Sequence, residues 1–474
     1  MPILPAPAQP FEYSVSVVIV GAGACGLTAA LAARDGGVDV LVLERDHAPR
    51  GSTAMSQGNI AAAGSKSQRD AGVEDSGEIF ARDIMTLTHG ETDAALARVF
   101  ADASGSTIDW LVEAHQIPLA IDLDWGTFLG HSRPRIHATP TKTGTELMTC
   151  LIAAVTRAGA DILTDAHVTD VFAGADGTVR GVRVQRPDGA AEDIGCGALV
   201  LACCGFGANP EMIARHIPEM AEAKYHGHEG NRGEGIQWGI ELGAATADMA
   251  AFQGLGALAD PHAVLINYNI VLEGGIIVNT DGERFADEST DISGMGRRVS
   301  AQPGGIAWFI YDERLHGMVT KYVEYQEAQE VGAVRRADSL GELAAIAKLP
   351  TGALGGTVEL SRALQAGNAT DSLGRDFTTS PPLAGPPWYA IRVCGALFHT
   401  QGGLVIDGDA QVQRNDGTAL PNLFAGGGTA RSVSGPGDWG YIPAAGLFTA
   451  VTQGRLAGTS AARLVNSAKS AAAE

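Results

Sequence analysis

The stretch Val15-Ser16-Val17-Val18-Ile19-Val20-Gly21-Ala22-Gly23-Ala24-Cys25-Gly26-Leu27 decides how the N-terminal part of this chain is built. Val15–Val20 is a short, nearly continuous apolar run, the pattern of a strand buried on both faces. The alanine-rich Leu27–Arg34 predicts a helix, and Asp39–Leu43 predicts a second strand that ends at Glu44. Together they make one βαβ unit. A lone GxGxxG is weak, because glycine turns are common; placed between a strand and a helix it becomes a dinucleotide signal. Gly21 permits the tight turn, Gly23 lets the backbone approach a pyrophosphate, and Gly26 allows the helix to pack against the strand. The helix N-terminus offers N–H groups and the positive end of its dipole to the phosphates. Glu44, 18 residues beyond Gly26, can accept hydrogen bonds from a ribose.

Working outward, Arg50-Gly51-Ser52-Thr53-Ala54-Met55-Ser56-Gln57-Gly58-Asn59-Ile60 is a second loop of small residues directly after the βαβ unit. An enzyme that binds only a nicotinamide dinucleotide does not need such a loop there. His167–Val171 and Val179–Gln185 alternate as strands around an Ala175-Asp176-Gly177 turn, and Ile194–Cys203 reads as another buried strand. From about 256 to 398 the composition shifts toward aromatic and polar residues, with helical periodicity in Ser339–Ala347 and proline pairs at 381–382 and 386–387. After Gly402 the strand–turn–helix pattern returns, with strands at Gly402–Asp407 and Leu423–Ala425 and an apolar helix at Ala444–Ala462. The expected fold is α/β. A Rossmann-type nucleotide-binding domain (1–255 and 399–474) is interrupted by a smaller inserted α+β domain (256–398).

The chain has 474 residues, 45% hydrophobic and 18% charged, with 62 glycines spread along its length, a composition of compact domains with many turns. Its formal net charge of −21 argues against nucleic acid or an anionic membrane surface as a partner. The six cysteines show no CxxC spacing, and the vicinal pair Cys203-Cys204 reads as buried thiols. No metal-ligand pattern appears. No apolar stretch approaches the ~20 residues of a membrane span and the start shows no signal-peptide pattern, so the expected location is cytoplasmic.

The second loop resembles the flavin-contacting segment of the fumarate reductase and succinate dehydrogenase flavoprotein superfamily, which includes the FAD-dependent 3-ketosteroid dehydrogenases. Ala202–Phe206, Gly274–Glu288, and His399–Asp407 running on to Leu423–Gly428 agree with it in order and spacing. The resemblance implies an FAD contacted by Gly21, Gly23, Ala24, Cys25, Gly26, Glu44, Arg45, Gly51, Ser52, Thr53, Ser56, Gln57, Gly58, Val168, Cys204, Gly205, Gly426, Gly427, Pro443 and Ala444. It also implies that 1–255 and 399–474 form a Rossmann-type FAD-binding domain and 256–398 a capping, or substrate, domain. Members with covalent FAD carry a histidine five residues before the Gln-Gly pair. That position is Ser52 here, so a non-covalent FAD is expected.

The family's carboxylate-binding residues do not survive alignment. The proton-delivering arginine falls at Ile292, the late arginine at Asp438, and the first histidine at Leu255; only His399 is retained. Loss of both guanidinium forks speaks against fumarate or succinate. Ser434-Gly435-Pro436-Gly437 resembles the ketone-polarising turn of the ketosteroid Δ1-dehydrogenases, with the Gly437 N–H in the polarising role. Their two catalytic tyrosines are Val433 and Ile292 here, so Tyr268 and Tyr441 stand as substitute proton acceptors, followed by His399 and His131. Arg133, Arg135, Arg297 and Arg298 read as solvated or structural. The expected reaction is introduction of a C=C bond α,β to a carbonyl, with α-proton abstraction and β-hydride transfer to flavin N5. The alternative is reduction of an activated alkene other than fumarate. No second nucleotide motif is evident, so electrons pass to an external acceptor: a quinone, a small carrier or oxygen.

Overall fold

The computed structural model describes residues 3–127 and 129–473. The chain divides into two units. The first holds Met1–Met212, Gly227–Phe252 and His399–Glu474; the second holds Ile213–His226 and Gln253–Phe398. The short segment Ile213–His226, read from sequence as part of the nucleotide-binding domain, belongs to the second unit because Lys224–Tyr225 pairs in parallel with its strand Trp388–Thr400.

In the first unit, strand Tyr13–Val20 lies between Val40–Leu43 and Ala191–Leu201, parallel to both. Asp161–Leu163 extends the sheet beyond Val40–Leu43. The far side of Ala191–Leu201 is shared. Its first half pairs antiparallel with Val179–Gln185, and its last three residues pair in parallel with Leu423–Ala425. Val17, Val18 and Ile19 are fully buried, as expected for a central parallel strand. Helix Ala24–Asp35 packs against the final helix, Ala445–Ala473, which runs well past the predicted end at Ala462 because alanine and long polar residues keep up helical propensity. The predicted strand Gly402–Asp407 is only Gly403–Leu404 plus an isolated bridge at Ile406; bonding to neighbouring turns replaces a longer ladder.

The second unit is built on a mixed sheet. Trp388–Thr400 pairs antiparallel with Ile306–Asp312 and with Val334–Ala337, and Ile276–Val278 lies beyond Ile306–Asp312. Helices Leu340–Ala347, capped by Ser339, and Thr351–Gln365 contribute Leu343, Leu354 and Val358 to its core. Among the described residues, no helix is long and apolar enough to cross a membrane, and no His/Cys/Asp/Glu group could hold a metal ion.

Candidate active site

All but one of the candidate residues lie in the first unit. At the nucleotide end, Gly21 has φ +103°, and a Cβ on it would lie 2.5 Å from the Ala202 carbonyl oxygen. On Gly26 a Cβ would lie 1.9 Å from the Gly21 oxygen. Backbone already fills both places, so a side chain cannot. Gly23 differs: its nearest neighbour would be Thr53 Oγ1 at 3.6 Å, ordinary contact. The protein's own packing does not demand glycine there. The clearance fits a pyrophosphate drawn close to the backbone.

The Glu44 carboxylate accepts from Ala22 N at 2.9 Å and from Asp46 N at 3.0 Å, joining the glycine loop to the turn after the second strand. Arg45 donates to the Gly230 carbonyl. Ala24 N donates to Thr53 Oγ1 at 3.1 Å, which ties the first helix to the short helix Gly51–Ala54. Gly51 has φ +51° and open space where a Cβ would stand. Ser52 Oγ accepts from Asn231 Nδ2 at 2.8 Å, with Cys204 Sγ at 4.0 Å. Ser56 Oγ accepts from Gly58 N, and Gln57 Oε1 accepts from Asn59. Val168 is buried in strand His167–Ala173. Cys204 takes a left-handed φ of +66° before Gly205, where a Cβ would meet Thr400 Oγ1 at 2.1 Å. Gly426 lies against Cys25 Sγ, and Gly427 N donates to Gln453 Oε1 on the final helix. None of the six cysteines forms a disulfide; Cys203 and Cys204, read from the sequence as buried thiols, are only partly buried, and desolvation pushes Cys203 up to about 12 and the buried Cys25 higher.

A second group of residues gathers at the N-terminus of the final helix. Ala444, just before it, has φ +65°, a strained value for alanine. The Pro443 carbonyl accepts from His131 Nε2 at 2.9 Å, so that nitrogen carries the proton and Nδ1 is the basic atom. His131 is 4% exposed, and burial pushes its pKa down to about 4. The adjoining segment is pinned by a fully buried Arg135, bidentate to Asp75 and bonded to Asp83, which also accepts from Ser132 N and Oγ. Arg135 is therefore structural.

The Tyr441 ring stands edge-on to His399, with centroids 5.6 Å apart. Burial raises its pKa well above the usual value, while the backbone N–H groups of Gly446 and Ala444 act on its oxygen in the opposite direction. His399 Nδ1 lies 2.6 Å from Gln401 Nε2, and burial pushes the ring down to about 4 against the opposing pull of the Thr400 carbonyl. A Cβ on Gly446 would lie 3.1 Å from His399 Cε1 and 3.2 Å from Nε2, tighter than ordinary contact, so any side chain there would crowd that edge of the ring. In the Ser434–Gly440 turn, a Cβ on Gly437 would fall 1.9 Å from the Trp439 ring, although its φ of −131° suits any residue. Trp439 is thus sufficient reason for that glycine.

Tyr268 is the exception in placement. It lies in the core of the second unit, 8% exposed, edge-on to Phe309, and its hydroxyl donates to the Glu288 carbonyl at 2.8 Å. Burial first, then the Glu288 charge, holds its pKa well above the usual value. A hydroxyl spent on a main-chain carbonyl within a packed core corrects its assignment as proton acceptor. Sequence reasoning missed Asn231, Gln401 and Gln453. Gln401 was visible beside His399 in the Thr400–Gly403 turn, but Asn231 and Gln453 reach the site from distant segments and no motif marks them.

The profile of the FAD binding domain family matches residues 16–438. The chain belongs to that family. It is an FAD-binding oxidoreductase, and FAD is its cofactor. It is 28% identical over 457 residues to an NADH:fumarate oxidoreductase of Klebsiella pneumoniae (strain 342), a match covering 96% of this chain and 48% of that protein. The flavoprotein thus spans about half the length of that relative. A flavocytochrome c3 fumarate reductase in its open conformation superposes with a TM-score of 0.82 at 27% identity, covering 97% of this chain and 79% of the other. The 3-ketosteroid-Δ4-(5α)-dehydrogenase of Rhodococcus jostii RHA1, solved with 4-androstene-3,17-dione, gives a TM-score of 0.77 at 26% identity, covering 98% of this chain and all of the other.

Proposed function

We propose that this flavoprotein is a dehydrogenase that introduces a C=C bond α,β to a carbonyl in a ketosteroid or other cyclic ketone. The observation that carries the reading is the pairing of Tyr441 with His399 at the final helix N-terminus, in a chain that has Ile292 and Asp438 where fumarate-type relatives are expected to hold arginines. Without those guanidinium forks a dianionic substrate lacks its bidentate partners, whereas a hydroxyl and an imidazole suit a neutral ketone. The match along the full length of the ketosteroid dehydrogenase supports it.

FAD, held by the residues around Gly21–Gly26 and Gly51–Gly58, supplies the hydride-accepting centre when bound. The chain's part is to hold the ketone oxygen, through the Gly437 N–H and His399, and to take the α-proton with Tyr441. A tyrosine accepts a proton only as phenolate. The N–H groups of Ala444 and Gly446 and the positive end of the final helix are what stabilise that anion. Electrons leave to an external carrier, quinone or oxygen.

The reverse reaction, reduction of an activated alkene, is favoured by one observation. Burial keeps Tyr441 protonated at neutral pH, the state required of an acid that delivers a proton to the α-carbon. The reductases among the relatives support the same direction. Anaerobic mixing of the oxidised enzyme with a panel of cyclic ketones, including 3-ketosteroids, tests the main reading through bleaching of the flavin band. Bleaching with a saturated ketone is expected, and fumarate should leave reduced enzyme unoxidised. Rapid reoxidation by fumarate with no bleaching by any ketone would overturn the proposal.

A further inference from the structure

The environment of His399 contains a device that the reading above does not use. Gln401 stands two residues on, 3% exposed, in the turn that follows strand Trp388–Thr400. Its main chain is fixed on both sides: Gln401 N donates to the Ala251 carbonyl at 2.8 Å, and the Gln401 carbonyl accepts from Ser432 N at 2.8 Å. Its side chain is held as well. Ser434 Oγ, 1% exposed, donates to Oε1 at 3.1 Å, and Nε2 lies 2.6 Å from His399 Nδ1. With Oε1 receiving the Ser434 hydroxyl, the amide NH2 faces Nδ1, and this orientation assigns the acceptor role to Nδ1 and the ring proton to Nε2; the opposite amide orientation would assign the proton to Nδ1. That nitrogen is the edge beside Gly446, where a Cβ would stand 3.2 Å away.

We infer that Gln401, oriented by Ser434, is a positioning residue that locks His399 in the Nε2–H tautomer, so that His399 meets the substrate as a hydrogen-bond donor to oxygen and never as the proton acceptor. Ser434 opens the Ser434–Gly437 turn, so the same relay ties the histidine donor to the turn whose Gly437 N–H is proposed to hold the ketone oxygen. The two donors then converge on one acceptor, and the proton acceptor is a separate group. The role of His399 toward a ketone rests on the proposed function; the tautomer does not.

The test is 15N NMR of histidine-labelled FAD-bound enzyme, with the His399 signals assigned by their loss in His399→Asn. The expected spectrum has Nε2 protonated and Nδ1 bare, unchanged from pH 8 to pH 5. A proton on Nδ1 in the wild-type enzyme overturns the inference without any variant. Gln401→Glu places a carboxylate against Nδ1 and should move the proton there or charge the ring, so that His399 titrates within that range. Gln401→Met removes the donor and should raise KM for the ketone about tenfold, the loss of one hydrogen bond, with a smaller change in kcat. Ser434→Ala, a gentler change, should give a mixed tautomer signal and an intermediate KM. Unaltered His399 spectra in all three variants would overturn the lock. If the tautomer is as stated but no ketone binds, the lock stands and the ketone reading fails.

Discussion

Two glycine turns in the first unit look alike in sequence and differ in what their glycines do. In Gly21–Gly26, two glycines are enforced by backbone against backbone, while the middle one, Gly23, has room that the protein leaves empty. In Ser434–Gly440, Gly437 is occupied by the turn's own Trp439 and Gly440 by the Ser434 carbonyl. The first turn keeps clearance for something outside the chain; the second spends its glycines on packing itself. A glycine motif therefore says that side chains are excluded, and only the neighbours say by what.

The contrast is tested most severely next to the second turn. Tyr441→Phe should slow flavin reduction by ketone on the order of 10²–10⁴-fold, whereas Tyr268→Phe should leave that rate near normal and lower unfolding stability by about 1–2 kcal/mol for its lost buried hydrogen bond. Stopped-flow absorbance and chemical denaturation separate the two; near-normal reduction in Tyr441→Phe would move suspicion to His131.

Next come the glycines themselves. Gly437→Ala should destabilise the apoprotein by about 1–3 kcal/mol as Trp439 is displaced. Gly23→Ala should leave apoprotein stability within about 0.5 kcal/mol and weaken FAD binding. Thermal unfolding of apoprotein and FAD titration by fluorescence measure both. Equal destabilisation by the two substitutions would erase the distinction between the turns.

A similar-sized effect is expected at Glu44. Glu44→Ala should weaken FAD binding by about 1–3 kcal/mol and also lower apoprotein stability, because two loop N–H groups lose their acceptor. An unchanged FAD dissociation constant would remove Glu44 as the ribose ligand. Acid precipitation should release all the FAD into the supernatant, since Ser52 stands at the covalent position; flavin left in the washed pellet would contradict that.

The last effect is a pH slope. His131, His137 and His399 are each pushed by burial down to about 4. Between their unfolded pKa of about 6.5 and 4, the unfolded chain binds protons that the folded chain does not, so stability falls as pH drops through that window. Denaturation midpoints of apoprotein at pH 7, 6 and 5 should decline, less steeply in His131→Gln.

The βαβ unit was legible in the sequence because its signals are local. An apolar run, a glycine turn and an alanine helix each act over a few residues, and the strand Tyr13–Val20 and helix Ala24–Asp35 form where those signals lie. The FAD family, too, was legible from ordered motifs. What the sequence could not determine was which side chains converge on the N-terminus of the final helix. Tyr268 and Tyr441 look equivalent in sequence; packing buried one against Phe309 and the Glu288 carbonyl and put the other beside His399. Nothing in the sequence shows that His131 is buried, with its ring on the Pro443 carbonyl 312 positions away. Local propensity acts along the chain, whereas burial and hydrogen-bond partnership are set by segments far apart in it. The cofactor and its loop were therefore written in the sequence, and the roles of the residues around the substrate end were decided by tertiary packing alone.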